Sequence, residues 1–353
     1  MSAQARQAPA GRATGTWIVY VANADSADIA VLALDRSDGA LREIDRFATG
    51  GMVMPLAVSP DRRFLYASIR AEPFRVLSLA IDPASGRLRE IGSAPLPASM
   101  CWISTDRSGR FLLSASYGSS LVAVAAIGSD GVASAAHQVV ATDANAHSIQ
   151  VAPGNRFAFA ACLGGGVVRQ MRFDAATGRL DDNAPPAWQA RAGAGPRHFR
   201  FDPTARFVYL LNELDATIDV LAFDRERGTL ASTGAVSPLL APGFAGGAPW
   251  AADLHLTADG RFLYASERRS STLASFAVDA ASGALTPLAT IATEREPRGF
   301  ALSPDDRFLI AVGQASHRLS CYAIDAQSGA LAKLGDQAIG RNPNWVEIVG
   351  LAN

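Results

Sequence analysis

The chain has 353 residues, 49% of them apolar and 18% charged, and its 32 basic and 33 acidic side chains leave a formal net charge of −1. That balance excludes the clustered excess of Lys and Arg that a nucleic-acid or anionic-membrane surface needs, and no apolar run reaches the roughly 18 residues of a membrane span. Lys333 is the only lysine, so nearly every positive charge is a guanidinium, suited to planar bidentate contact with carboxylate or phosphate.

In chain order, residues 1–15 are rich in Ala, Arg, Gln and Gly, lack the apolar stretch of a secretory signal, and read as a disordered tail. From residue 16 to 353 one pattern recurs: an apolar segment, a Ser-Pro-Asp-type turn, then Arg-Phe leading into a second apolar run. The pairs are Arg63-Phe64, Arg110-Phe111, Arg156-Phe157, Arg206-Phe207, Arg261-Phe262 and Arg307-Phe308, spaced 46 to 55 residues apart. Further on in most units an Asp is followed by Gly-x-Leu, as in Asp174…Gly178-Arg179-Leu180 and Asp224…Gly228-Thr229-Leu230, which predicts a hairpin turn with Gly at positive φ. Four short strands per repeat and no convincing amphipathic helix predict an all-β, seven-bladed β-propeller of four-stranded antiparallel blades. Ile18-Val19-Tyr20 has no first strand ahead of it, whereas Asn344-Trp345-Val346 at the other end matches Arg298-Gly299-Phe300. The two ends are therefore expected to complete the seventh blade together, removing an open sheet edge. Cys101, Cys162 and Cys321 form no C-x-x-C pair and are expected to be buried free thiols of a reducing compartment.

Each blade faces the same packing problem, so departures from the repeat are informative. Nine residues before the Arg of each Arg-Phe pair stand Met54, Cys101, His147, Arg197, Ala252 and Arg298, with Asn344 in the terminal unit, and the next position reads Pro55, Trp102, Ser148, His198, Asp253, Gly299 and Trp345. At the end of the second strand stand Arg70, Tyr117, Leu163, Glu213, Arg268 and Gln314. The start of the first strand and the end of the second share one mouth, so four Arg, two His, Glu213 and Asp253 are expected to converge on one rim. Such a rim suits a small anion carrying phosphate or carboxylate. Glu213 and His147 are the proton-transfer candidates, and Arg197 or His198 the oxyanion stabilisers. Arg268 paired with its neighbour Glu267 is the bland alternative. His255, Asp253 and Glu267 are too sparse a set to predict a metal, and no nucleotide-binding glycine motif or serine elbow is present.

The strings Gly195-Pro196-Arg197-His198, Leu211-Asn212-Glu213-Leu214, Trp250-Ala251-Ala252-Asp253-Leu254-His255, Pro297-Arg298-Gly299-Phe300 and Gly313-Gln314, with Ser316-His317, occur in order and at matching spacing. In these the chain resembles the propeller-type 6-phosphogluconolactonases, a group that also contains the fungal carboxymuconate cyclases. The resemblance implies a cytoplasmic enzyme without cofactor or metal that hydrolyses 6-phospho-D-glucono-1,5-lactone, or alternatively a lactonase or cycloisomerase acting on another anionic lactone. It implies His147, Arg197 and Glu213 as catalytic residues, joined by Arg268 or Arg298. Arg70, His198, Asp253, Arg268, Arg298, Gln314 and His317 are expected to bind substrate. The run Ser266-Glu267-Arg268-Arg269 departs from the Asp-Arg-Thr of the bacterial lactonases. The expected partner is a small anionic lactone, with neither nucleic acid nor membrane, on a monomer or weak homo-oligomer.

Overall fold

A computed structural model describes residues 15–351, and these contain no helix. Apart from Gly15, the predicted tail lies outside the described residues. Seven four-stranded antiparallel sheets form the blades. Blade 2 covers Val53–Pro95, blade 3 Trp102–Ala141, blade 4 Ala146–Gln189, blade 5 Pro196–Pro238, blade 6 Ala251–Ala292 and blade 7 Pro297–Ala338. Blade 1 joins Thr16–Ala48 to the C-terminal strand Pro343–Gly350, which supplies its inner strand, with Trp17 paired to Gly350 and Tyr20 to Glu347. This is the closure expected from the two chain ends.

The recurrent motifs are latches between blades. In all six Arg-Phe pairs the guanidinium lies 5.1–5.7 Å from the ring of the following Phe. Five of these arginines also donate to a backbone carbonyl in the outer turn of the next blade, as Arg156 Nη2 does to Arg225 O at 2.7 Å and Arg261 Nη2 to Ala326 O at 2.8 Å. The glycine of that turn sits on the Phe ring. At Gly228, with φ +66°, a Cβ would come within 2.1 Å of the Phe157 ring, so the motif needs glycine for both backbone freedom and space. Behind the latches the blade faces interdigitate. Phe159, Phe199, Val208 and Leu210, all nearly fully buried, form the contact between blades 4 and 5, each large side chain contributing roughly 1.5–3 kcal/mol by leaving water.

One irregularity positions the functional rim. Inner strands lose register with their neighbours at their first residues: the pairing skips His147 in blade 4, Arg197 in blade 5, Ala252 and Asp253 in blade 6, and Arg298 in blade 7. Each skip is a β-bulge, which leaves one residue outside the ladder and re-aims its side chain. Blade 2 skips Met54 and Pro55, and blade 1 skips Asn344.

Candidate active site

The bulged residues His147 and Arg197 meet Glu213 and Arg268, which directly follow the second strands of blades 5 and 6. The Gly195 carbonyl, in a turn with φ +75°, accepts the Glu213 N–H at 2.8 Å and sets the carboxylate beside Arg197. Arg197 is 2% exposed. Its Nε donates to Ala252 O at 2.7 Å, and its Nη1 contacts both Glu213 Oε2 and, at 2.6 Å, His147 Nε2. Arg268 Nη2 also reaches Glu213 Oε2, at 3.0 Å, while its guanidinium stacks 3.8 Å over Trp250. Arg268 therefore pairs with Glu213 and not with Glu267. The Glu267 carboxylate instead accepts from Trp250 N and from Ser270 N and Oγ.

The protonation states follow from these contacts. Burial pushes the Glu213 pKa up, but Arg197, Arg268 and Arg298 outweigh it and the carboxyl is held below its ordinary value. It is ionised at neutral pH with Oε2 occupied. Burial and then the surrounding Arg197, His198, Arg298 and Arg268 drive His147 well below the usual histidine value, so the ring is neutral. Arginine only donates, so His147 Nε2 accepts and its proton resides on Nδ1, a buried atom without a partner among the described residues. Arg197 Nη2 is likewise buried and unpartnered.

Arg70 and Arg298 complete the cationic side. Arg70 donates to Ser99 Oγ at 2.8 Å and lies against Met54 Sδ, and neither arginine has a carboxylate partner among the described residues. Burial, then Arg197 and Arg70, bring the Arg298 pKa down to about 9, still charged at neutral pH. A groove of about 180 Å³ between Trp250, Arg268, Arg295 and Glu296 opens beside the cluster.

Of the four other expected substrate contacts, His198 packs edge-on against His147 of the cluster, with 5.1 Å between ring centroids. His198 and Asp253 are buried beneath the rim. Asp253 Oδ1 lies 3.0 Å from His198 Nδ1 and Oδ2 lies 3.2 Å from His255 Nε2, while Oδ1 also accepts from Leu254 N. Its carboxylate is held well below the ordinary range, because the adjoining His255 and His198 outweigh the upward push of burial. Asp253 is thus a carboxylate holding a histidine, and its oxygens are already engaged. His198, brought down to about 3 by burial, is neutral and donates through Nδ1, leaving Nε2 as a buried unpartnered acceptor. Gln314 Nε2 donates to Asn342 Oδ1 at 2.6 Å, and the exposed His317 accepts Asn342 N–H through Nδ1 at 3.1 Å. Both stabilise a rim turn and do not reach the cluster.

Two tryptophans, which composition and charge do not single out, join His198 in one layer. Trp102 and Trp345 meet at 5.3 Å between ring centroids, and Trp102 lies 4.6 Å from His198. Coming from blades 3, 5 and 1, these rings close the channel below the rim. The signal was present, since Trp102 and Trp345 stand at the repeat position of His198. Among the described residues no group of three or more His, Cys, Asp or Glu is arranged to hold a metal ion. All three cysteines are free and buried.

Fold and cluster define a seven-bladed propeller with a buried, arginine-rich cluster of ionisable groups at one mouth. Comparison with known proteins narrows this class. Residues 16–348 match the family model described as lactonase, 7-bladed beta-propeller. The 6-phosphogluconolactonase of Pectobacterium carotovorum is 40% identical over 80% of this chain and 83% of its own, and that of Yersinia pestis 37% identical over 95% and 98%. Among solved structures, the periplasmic gluconolactonase of Pseudomonas aeruginosa superposes with a TM-score of 0.90 at 30% identity, covering 96% of this chain and 100% of its own. The chain belongs to the seven-bladed propeller lactonases and is a lactone-hydrolysing enzyme, a carboxylic ester hydrolase.

Proposed function

We propose that this enzyme hydrolyses 6-phospho-D-glucono-1,5-lactone to 6-phosphogluconate in the cytoplasm, as a monomer or weak homo-oligomer. The observation that carries the phosphorylated substrate is the pair Arg70 and Arg298: two charged guanidiniums without a carboxylate partner among the described residues, beside the Arg197–Glu213–Arg268 cluster. Guanidinium forks match phosphate oxygens. The likeness to the Pectobacterium and Yersinia enzymes, by name 6-phosphogluconolactonases, supports the same substrate. Buried free thiols suit a reducing compartment.

In this reading Glu213 Oε1 accepts a hydrogen bond from a water and takes its proton as the water oxygen adds to the lactone carbonyl carbon. Arg197 Nη2 and the His147 Nδ1–H donate to the oxyanion that forms. The tetrahedral intermediate then collapses, the C1–ring-oxygen bond breaks, and the proton passes to that oxygen as the new hydroxyl. The fixed tautomer makes His147 a donor and Glu213 the proton acceptor. An ionised Glu213 with a lowered pKa is a weak base, which suffices for an electrophile as reactive as a δ-lactone. Because the donors are held in place before the reaction, each contributes roughly 10²–10³ in rate.

The test is a coupled assay with freshly made 6-phosphogluconolactone and 6-phosphogluconate dehydrogenase, read against spontaneous hydrolysis. Glu213→Gln is expected to lower kcat by roughly 10² or more. Arg298→Ala should raise KM for the phosphorylated lactone about tenfold while leaving glucono-1,5-lactone unaffected. The superposition on the Pseudomonas gluconolactonase favours a second reading, in which the unphosphorylated lactone is the substrate. Equal kcat/KM for both lactones, insensitive to Arg298→Ala, would establish that reading instead.

A further inference from the structure

Below the layer of Trp102, His198 and Trp345 the channel opens again into a separate chamber of about 370 Å³. Side chains alternate along a strand, so the residues two further along each inner strand from the ring layer face this chamber. They are Ser104, Gln150, Arg200, His255 and Glu347, and all are half-buried and reachable from the opposite mouth. Lactone hydrolysis at the rim uses none of them.

The chamber is polar and carries positive charge. Arg200 lies 5.5 Å over the Trp102 ring and donates through Nη1 to Phe199 O at 3.1 Å, with Nη2 3.6 Å from Asp253. This fixes the guanidinium on the wall. Arg107 stands exposed at the mouth with no carboxylate partner among the described residues. The Trp102 Nε1 donor is buried without a partner on a side chain only 4% exposed. Glu347 accepts from Trp345 Nε1 at 2.9 Å. Burial pushes the Glu347 carboxyl up to about 7, with Arg200 pulling it down and Asp253 pushing it up. His255, lowered by burial and Arg200, is neutral.

We propose that this lower chamber is a second ligand site, taking a small polyhydroxylated organic anion whose carboxylate or phosphate lies between Arg107 and Arg200. Gln150, Ser104 and Glu347 supply donors and acceptors for hydroxyl groups, and the two tryptophans supply apolar faces for the carbon skeleton. The ring layer separates it from the rim, while Asp253, bonded to His198 above and His255 below, touches both levels.

The charges facing the anion are Arg107 and Arg200, opposed by the Asp253 carboxylate and, at higher pH, by Glu347. Binding should therefore strengthen as pH falls through about 7, where Glu347 takes up its proton. The experiment is isothermal titration calorimetry of the full chain with D-gluconate, 6-phosphogluconate and inorganic phosphate as separate probes, at pH 6 and pH 8. Arg107→Glu is expected to remove one binding event per chain, or weaken it at least about tenfold, with an unchanged melting temperature in the absence of ligand. Glu347→Gln should retain that event and remove the pH dependence of D-gluconate binding, since a phosphate probe titrates in this range itself and a carboxylate does not. Gluconate alone would mark the anchored group as a carboxylate, inorganic phosphate alone as a phosphate. Isotherms of Arg107→Glu identical to wild type, or a pH dependence of D-gluconate binding that survives in Glu347→Gln, would overturn the proposal.

Discussion

At the scale of single residues, the site is built from groups whose charge state is set by their neighbours. His147, His198 and His255 are all held below the ordinary histidine value, each chiefly by burial, and are neutral in the folded protein. In the unfolded chain they take up protons below about pH 6.5, so the unfolded state binds more protons there and stability falls as pH drops from about 6.5 toward the folded values. Each contributes a slope of roughly 1.4 kcal/mol per pH unit once well below 6.5. The carboxylates Glu213 and Asp253, held low when folded, lose their contribution only at more acid pH. Glu347, pushed up to about 7, keeps its proton in the folded chain while the unfolded chain sheds it above about pH 4.5. It opposes one histidine's share of the slope, so urea midpoints between pH 6 and pH 4.5 report the three histidines net of Glu347. His147→Gln should flatten that slope by about one histidine's share, whatever it does to stability at pH 7, and an unchanged slope would mean that the ring is charged in the native state. Repeat alignment made His147, Arg197 and Glu213 legible, because the mouth is the one place where equivalent positions need not share a packing solution. It left the depth of His198 and Asp253 in the channel undetermined for a local reason. The bulge that turns Arg197 into the cluster restores the ladder at His198, and the Asp253 oxygens are engaged by His198, His255 and Leu254 N. A one-residue skip leaves no mark in composition or spacing.

At the scale of elements, the latch accounts for most of what made the fold readable. Arg, Phe and the turn glycine recur because each blade must dock its outer turn on the preceding blade's second strand, and that contact has one geometry. Gly228→Ala is expected to destabilise by more than about 2 kcal/mol, since the methyl adds overlap with the Phe157 ring to the cost of a left-handed backbone. Gly154 is the control: its φ is +98° and a Cβ there meets nothing within 4 Å, so Gly154→Ala should cost only the backbone term, on the order of 1 kcal/mol. Thermal or urea unfolding of the two variants isolates the contact. Equal losses would show that the glycine is required for its dihedral angle alone, and that the latch is held by the Arg–carbonyl bond and the Arg–Phe stack.

At the scale of the whole molecule, the ring has no covalent closure, and the shared blade 1 takes that role. Trp17 and Gly350 are partners across the first and last strands, so a short loop between them would be an ordinary antiparallel hairpin. The loop from Ala241 to Gly247 between blades 5 and 6 is exposed, which makes it the place to open the chain. A circular permutant joined at residues 351 and 15 and opened before Gly243 keeps every strand pairing. It replaces closure through a hydrogen-bonded sheet with closure through side-chain packing between blades 5 and 6, which the cluster of Leu211, Ile218, Leu254 and Leu263 already supplies. Native strand content and lactone hydrolysis within about twofold of wild type are expected, because the rim residues and the ring layer are untouched. The unfolding rate in urea should rise at least about tenfold, since separating two packed faces breaks no sheet ladder, whereas opening blade 1 in the wild type breaks the whole pairing from Trp17 to Asn23. An unfolding rate equal to wild type would place the limiting step of unfolding inside a blade and not at the seam, and the shared blade would then serve to protect a strand edge from other chains.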